Sequence, residues 1–79
     1  MQKKRLIKIV PAMAHEFVKI ASRCSFEIDV ANRRRSSYAV DAKSLVGVMG
    51  LDFAEPISVS YRGLNEELEA FLAKYAVEA

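Results

Sequence analysis

Ser44 stands immediately ahead of the short apolar run Leu45-Val46-Gly47-Val48-Met49, a placement that suits phosphate chemistry. A serine at a helix start caps free backbone N–H groups, and those groups, with the helix dipole, favour a phosphoryl group on its oxygen. Capping alone needs only the hydroxyl; modification would add a charge of about −2 beside Lys43. His15 is the only histidine, so any phosphohistidine chemistry must use it. With Pro11 as the first helical residue, His15 is predicted to lie beyond the first turn, where N–H groups already bond carbonyls within the helix and do not cradle phosphate. Its angle places it at the edge of the apolar stripe near Lys19 and Ser22, where an ordinary exposed histidine is the simpler role.

Leu45, Val46, Val48, Met49 and Leu51 are more apolar residues than so short a helix can bury, so part of them is expected to form a surface patch. Exposed methionine suits adaptable contact. The expected protein-binding surface therefore comprises Val46, Val48 and Met49, with Lys43 beside it. Arg33-Arg34-Arg35 with Tyr38 just beyond offers guanidinium forks for phosphates and one ring for stacking a base. A charge run at a hairpin tip is more often a solvated turn, and a formal charge of +2 from twelve basic and ten acidic residues supplies no field that argues for nucleic acid. Nucleic acid is not an expected partner. Glu66, Glu67 and Glu69 read as a solvated helix face with favourable N-terminal charge rather than as paired catalytic acids.

The elements that must position these residues fit one domain, residues 1–79, in which about half the side chains are apolar. The lone Cys24 excludes an internal disulfide, and no Cys or His pair has metal-ligand spacing, so no metal or cofactor is expected and the setting is read as reduced and cytoplasmic. The basic start, Met1 to Arg5, leads into an apolar run that ends at Val10 and is broken by Lys8, too short for a signal peptide or a membrane span.

Leu6, Ile7, Ile9 and Val10 read as a strand that Pro11 turns abruptly into a helix running to about Cys24, with Ala14, Phe17, Val18 and Ala21 as its buried stripe. Phe26, Ile28 and Val30, then Tyr38 and Val40, alternate as two strands of a hairpin. Ser44 to about Gly50 is a short helix, and Ile57, Val59 and Tyr61 form a further strand. Asn65 caps a last helix with Leu64, Leu68, Phe71, Leu72 and Tyr75 facing the core. The order β-α-β-β-α-β-α predicts an α+β open-faced sandwich, a four-stranded antiparallel sheet with three helices on one face and a wet outer face. Pattern alone also leaves a ferredoxin-like strand order open.

Phe17-Val18-Lys19, Glu27-Ile28, Ala42-Lys43-Ser44-Leu45 with Gly47-Val48-Met49 and Leu51, and Gly63 before Asn65-Glu66-Glu67 together resemble HPr, the histidine-containing phosphocarrier family of the bacterial sugar phosphotransferase system, over nearly the whole chain. In that family the active loop before the first helix reads Gly-Leu-His-x-Arg-Pro-Ala. Registering Phe17-Val18-Lys19 on it puts Val10 at the histidine, Ala12 at the arginine and Met13 at the proline, so the active loop is shortened here, whereas the hairpin with Arg33-Arg34-Arg35 is longer than usual. The resemblance implies that Ser44 matches the serine phosphorylated by an ATP-dependent kinase in Gram-positive relatives, where the modified protein docks a catabolite-control transcription factor. It also implies that the Ser44 helix and the first helix meet other phosphotransferase proteins. Two functions are expected from it: a regulatory protein-interaction module switched at Ser44, or a phosphocarrier relaying phosphate from a phosphoenolpyruvate-dependent donor through His15.

Overall fold

The computed structural model describes residues 2–35 and 37–77. Strand β1 (Lys3–Ile7) leads through a 3-10 turn at Pro11–Met13 into helix α1 (Ala14–Ser22). Strand β2 (Ile28–Asn32), a second 3-10 turn at Arg33–Arg35 and strand β3 (Val40–Asp41) follow, then helix α2 (Leu45–Met49), strand β4 (Ile57–Tyr61) and helix α3 (Glu66–Tyr75). The sheet order is β1-β4-β2-β3 with every neighbour antiparallel, which fixes the topology that the element order alone left open. The expected α+β open-faced sandwich is the observed fold.

Alternation explains which residues are buried. Ile57, Val59 and Tyr61 point from β4 into the core and pair in register with Ile7 on one side and with Val30 and Ile28 on the other. Over them α1 lays Phe17, Ile20 and Ala21, α3 lays Leu68, Phe71 and Leu72, and α2 contributes Val48. The rings of Phe17 and Phe71 sit 5.6 Å apart and tilted, joining two helices above the sheet. On the outer face Lys4 and Asp29 are exposed as expected, whereas the short side chains of Ala31 and Ser58, which pair with each other in register, are buried. The segment after α3 turns back along β1: Val77 N–H donates to the Leu6 carbonyl at 2.9 Å and Lys8 N–H to that of Tyr75 at 3.0 Å.

Several local expectations need correction. The α-helix starts at Ala14, later than the predicted Pro11, because the proline-led turn closes with tighter bonds from Met13 N–H to the Val10 carbonyl and from Ala14 N–H to that of Pro11. The second strand starts at Ile28, not Phe26, and the third is only Val40–Asp41. Tyr38 lies outside it, since its N–H donates to the Arg35 carbonyl at 2.9 Å and ends the arginine turn. Leu64 was expected to face the core but is exposed; it precedes the capping residue Asn65 and so lies off the helix face that packs.

Two features hold the end of β4. The Tyr61 hydroxyl donates to Glu69 Oε2 at 2.5 Å, while Lys3 and Arg5 approach the same carboxylate at 3.5 and 3.3 Å. Just beyond, Gly63 has φ +155°, and a Cβ there would lie 2.3 Å from the Phe26 ring. Gly63→Ala is expected to cost at least about 2 kcal/mol in denaturant melts, since backbone strain and ring displacement both oppose it. Burial, reinforced by the bond to Glu69, pushes the Tyr61 phenol up to about 12 from an ordinary 10. The stability that the neutral phenol contributes is complete below pH 10 and is lost as pH rises toward 12. An ultraviolet alkaline titration should show one tyrosine ionising near 12, and Tyr61→Phe should remove that step.

Candidate functional site

Helix α2 begins where Ser44 adopts extended φ −101° and ψ 110°, and its Oγ accepts a hydrogen bond from Gly47 N–H at 3.2 Å. The predicted cap is thus formed, with the hydroxyl on an exposed residue. Gly47 brings α2 close against β3: a Cβ at that position would meet the Val40 Cβ at 3.2 Å, so Val40 would have to shift slightly to admit one. Over five residues the helix divides sharply. Val48 is 1% exposed and belongs to the core, whereas Val46 is 86% and Met49 46% exposed.

That division corrects the expected patch. Val48 supports α2 from beneath and cannot line a surface, because its position on the short helix points it between α1 and the sheet. Lys43, expected beside that surface, is half-buried, and its Nζ donates to the Cys24 carbonyl at 2.9 Å, placing the ammonium just past the C-terminal end of α1, where the helix dipole favours a cation. Val46 and Met49 remain outward. Cys24 itself is buried, its Sγ donates to the Ile20 carbonyl at 3.6 Å, and burial pushes its thiol up against the opposing pull of Lys43, which disfavours the reactive thiolate.

His15 is exposed in the first turn of α1, one turn earlier than predicted because the α-helix starts late. It lines a shallow groove with Ala12, Glu16, Lys19, Ile20, Arg23 and Glu67, where Arg23 pairs with Glu67 at 2.6 Å. The N–H groups of Met13 and Ala14 are spent within the 3-10 turn ahead of it and are not available to an anion. Val10, at the family histidine position in the register above, is extended and exposed and carries no donor or acceptor on its side chain.

The structure also shows a groove of about 670 Å³ that the sequence reading missed, between α2 and the arginine turn. Asn32, Arg35, Tyr38 and Val40 form one wall; Val46, Gly47, Gly50 and Leu51 form the other. It shares no lining residue with the groove at His15. The arginine turn is fixed from behind: Asn32 Nδ2 donates to the Asp52 carbonyl at 2.7 Å and its Oδ1 accepts from Asp52 N–H at 2.8 Å, while Arg33 N–H donates to the Pro56 carbonyl at 3.2 Å. The sequence signal for it was the long hairpin carrying arginines and an aromatic. Among the described residues, no group of His, Cys, Asp and Glu could hold a metal ion.

Ser44→Ala should remove the cap and lower stability by about 1 kcal/mol in urea melts, whereas Val46→Ser should change it by less than about 0.5 kcal/mol.

The family model described as "PTS HPr component phosphorylation site" matches residues 12–74. No curated protein matches the chain significantly. Among solved structures, six chains match significantly. One is the crystal structure of a phosphocarrier protein HPr from Bacillus anthracis str. Ames, with a TM-score of 0.65 and 26% sequence identity, covering 98% of this chain and 96% of that one. With the family pattern spanning both helices of the site and strands β2, β3 and β4, the chain belongs to the HPr family of the phosphotransferase system.

Proposed function

We propose that this HPr-family chain is a regulatory protein-interaction module of the phosphoenolpyruvate-dependent sugar phosphotransferase system, working in the cytoplasm as one domain over residues 1–79. The observation that carries this reading is the outward display of Val46 and Met49 on a helix whose Val48 is buried. Burying a valine side chain is worth about 1.5–3 kcal/mol, so one residue held this far out adds appreciably to an interface. The partners are proteins of the same system, which family membership supports. Ser44 is the switch: a serine kinase adds phosphate at the start of α2, next to the docking residues, and the modified face meets a catabolite-control transcription factor. The exposure of Ser44 supports that step, since its hydroxyl is bound only as a cap.

A second reading has its own observation. His15 shares a groove with Lys19 and Arg23, so an exposed imidazole stands near cations that would favour a phosphoryl group, and the chain would then be a phosphocarrier with a relocated histidine. Against it stands the 3-10 turn that uses the N–H groups of Met13 and Ala14.

Intact-protein mass spectrometry separates the two. Incubation with the serine kinase and ATP is expected to give an acid-stable adduct absent from Ser44→Ala, and Val46→Asp is expected to weaken capture of phosphotransferase proteins about tenfold or more. An acid-labile adduct formed with the general phosphotransferase donor and phosphoenolpyruvate, and lost in His15→Ala, would replace the regulatory reading with the carrier.

A further inference from the structure

We infer that the groove between α2 and the arginine turn is a docking site for an acidic, aliphatic-rich peptide segment of a partner protein. The inference rests on the docking reading only in that both use the outward side of α2; it needs neither phosphate on Ser44 nor a carrier at His15.

The groove's chemistry is one-sided. Arg35 is its charged residue, and no carboxylate lines it. Arg34 is paired with Glu55 at 3.9 Å, and the ion pairs found elsewhere engage Lys3, Arg5 and Arg23, so among the described residues Arg35 has no ion-pair partner. An anionic ligand is therefore complementary to the wall, and a guanidinium binds a carboxylate through two parallel hydrogen bonds. Val40, Val46 and Leu51 supply aliphatic surface along its two walls, and Tyr38 is 72% exposed. These surfaces accept a leucine- or isoleucine-sized side chain, while Arg35 meets an acidic residue beside it. Glycines at Gly47 and Gly50 leave the α2 wall low enough for a peptide backbone to approach.

Charge complementarity selects a peptide over a nucleic acid. A strand of nucleic acid needs cations spaced along its phosphates and several rings for its bases, whereas here one arginine and one aromatic stand among aliphatic side chains. The volume of about 670 Å³ suits a few side chains. The reciprocal Asn32–Asp52 hydrogen bonds hold the end of β2 to the loop after α2, so the two walls are joined before a ligand arrives and little ordering cost is left for binding.

The test is a titration of the 15N-labelled full chain with a short acetylated peptide alternating glutamate and leucine, alongside the same peptide with glutamine for glutamate and a single-stranded oligothymidylate. The glutamate peptide is expected to shift the amides of Arg35, Tyr38, Val46, Gly47 and Gly50, and to bind about tenfold more tightly than the glutamine peptide at low salt. Arg35→Gln, at an exposed position, should lower that affinity about tenfold with the spectrum otherwise retained, and Val46→Ser should lower it independently. Equal binding of the two peptides, no binding of the glutamate peptide, shifts clustered at His15 and Lys19, or binding of the oligothymidylate in place of the peptide would each overturn the inference. A chain that binds the glutamate peptide in this groove yet accepts no phosphate on Ser44 keeps the inference and loses the switch; the reverse result keeps the switch and loses the groove.

Discussion

The fold depends on the inward row of β4. That strand lies between β1 and β2, and its Ile57, Val59 and Tyr61 belong to the one core to which all three helices contribute side chains. Because side chains alternate across a strand, one residue of slip would send this row to the polar face and bring Ser58 and Ser60 into the core. Register is anchored at the end of the strand by Tyr61, whose ring stacks near Phe26 at 6.0 Å and whose hydroxyl reaches Glu69 on α3. The sheet and its helical layer are thereby joined by a polar contact in addition to apolar packing.

Above this sheet, α2 is the element that most restricts function. It has five residues, too few to be stable alone, and is held by its Ser44 cap, by Val48 beneath and by the close approach of Gly47 to β3. A helix so short and so firmly seated presents its outer residues with little freedom, which suits recognition better than a mobile loop would. Around it the cations are divided: Lys43 serves the fold at the end of α1, and Arg35 faces a groove. Two residues of like charge, near one another in sequence, thus have different physical roles.

Much of this was readable in the residues. Strict alternation in Ile57-Ser58-Val59-Ser60-Tyr61 and the spacing of Leu68, Phe71 and Leu72 are signals that packing reinforces, and both elements stand where the pattern puts them. The cap at Ser44 was equally legible, since it involves only neighbours in the chain. What could not be read were outcomes set by distant partners. The inward turn of Val48 depends on where α1 and the sheet stand, and the reach of Lys43 depends on the carbonyl of Cys24, nineteen residues away. The α2 groove was hidden for the same reason: its walls come from separate stretches of chain, joined by a side chain–backbone contact between Asn32 and Asp52 that periodicity cannot reveal.

The position of β4 also bears on how the molecule is made. β1 begins at Lys3, yet its strand partner starts only at Ile57, so β1 has no mate until the intervening elements and β4 have been synthesised. Long-range pairing of this kind delays closure of the sheet until the loop-closure entropy can be offset all at once. During that interval the exposed edge of β1 carries Lys3, Lys4 and Arg5, whose mutual repulsion hinders pairing with the same segment of another nascent chain. Only once α3 is in place does Glu69 stand between Lys3 and Arg5 and offset that repulsion.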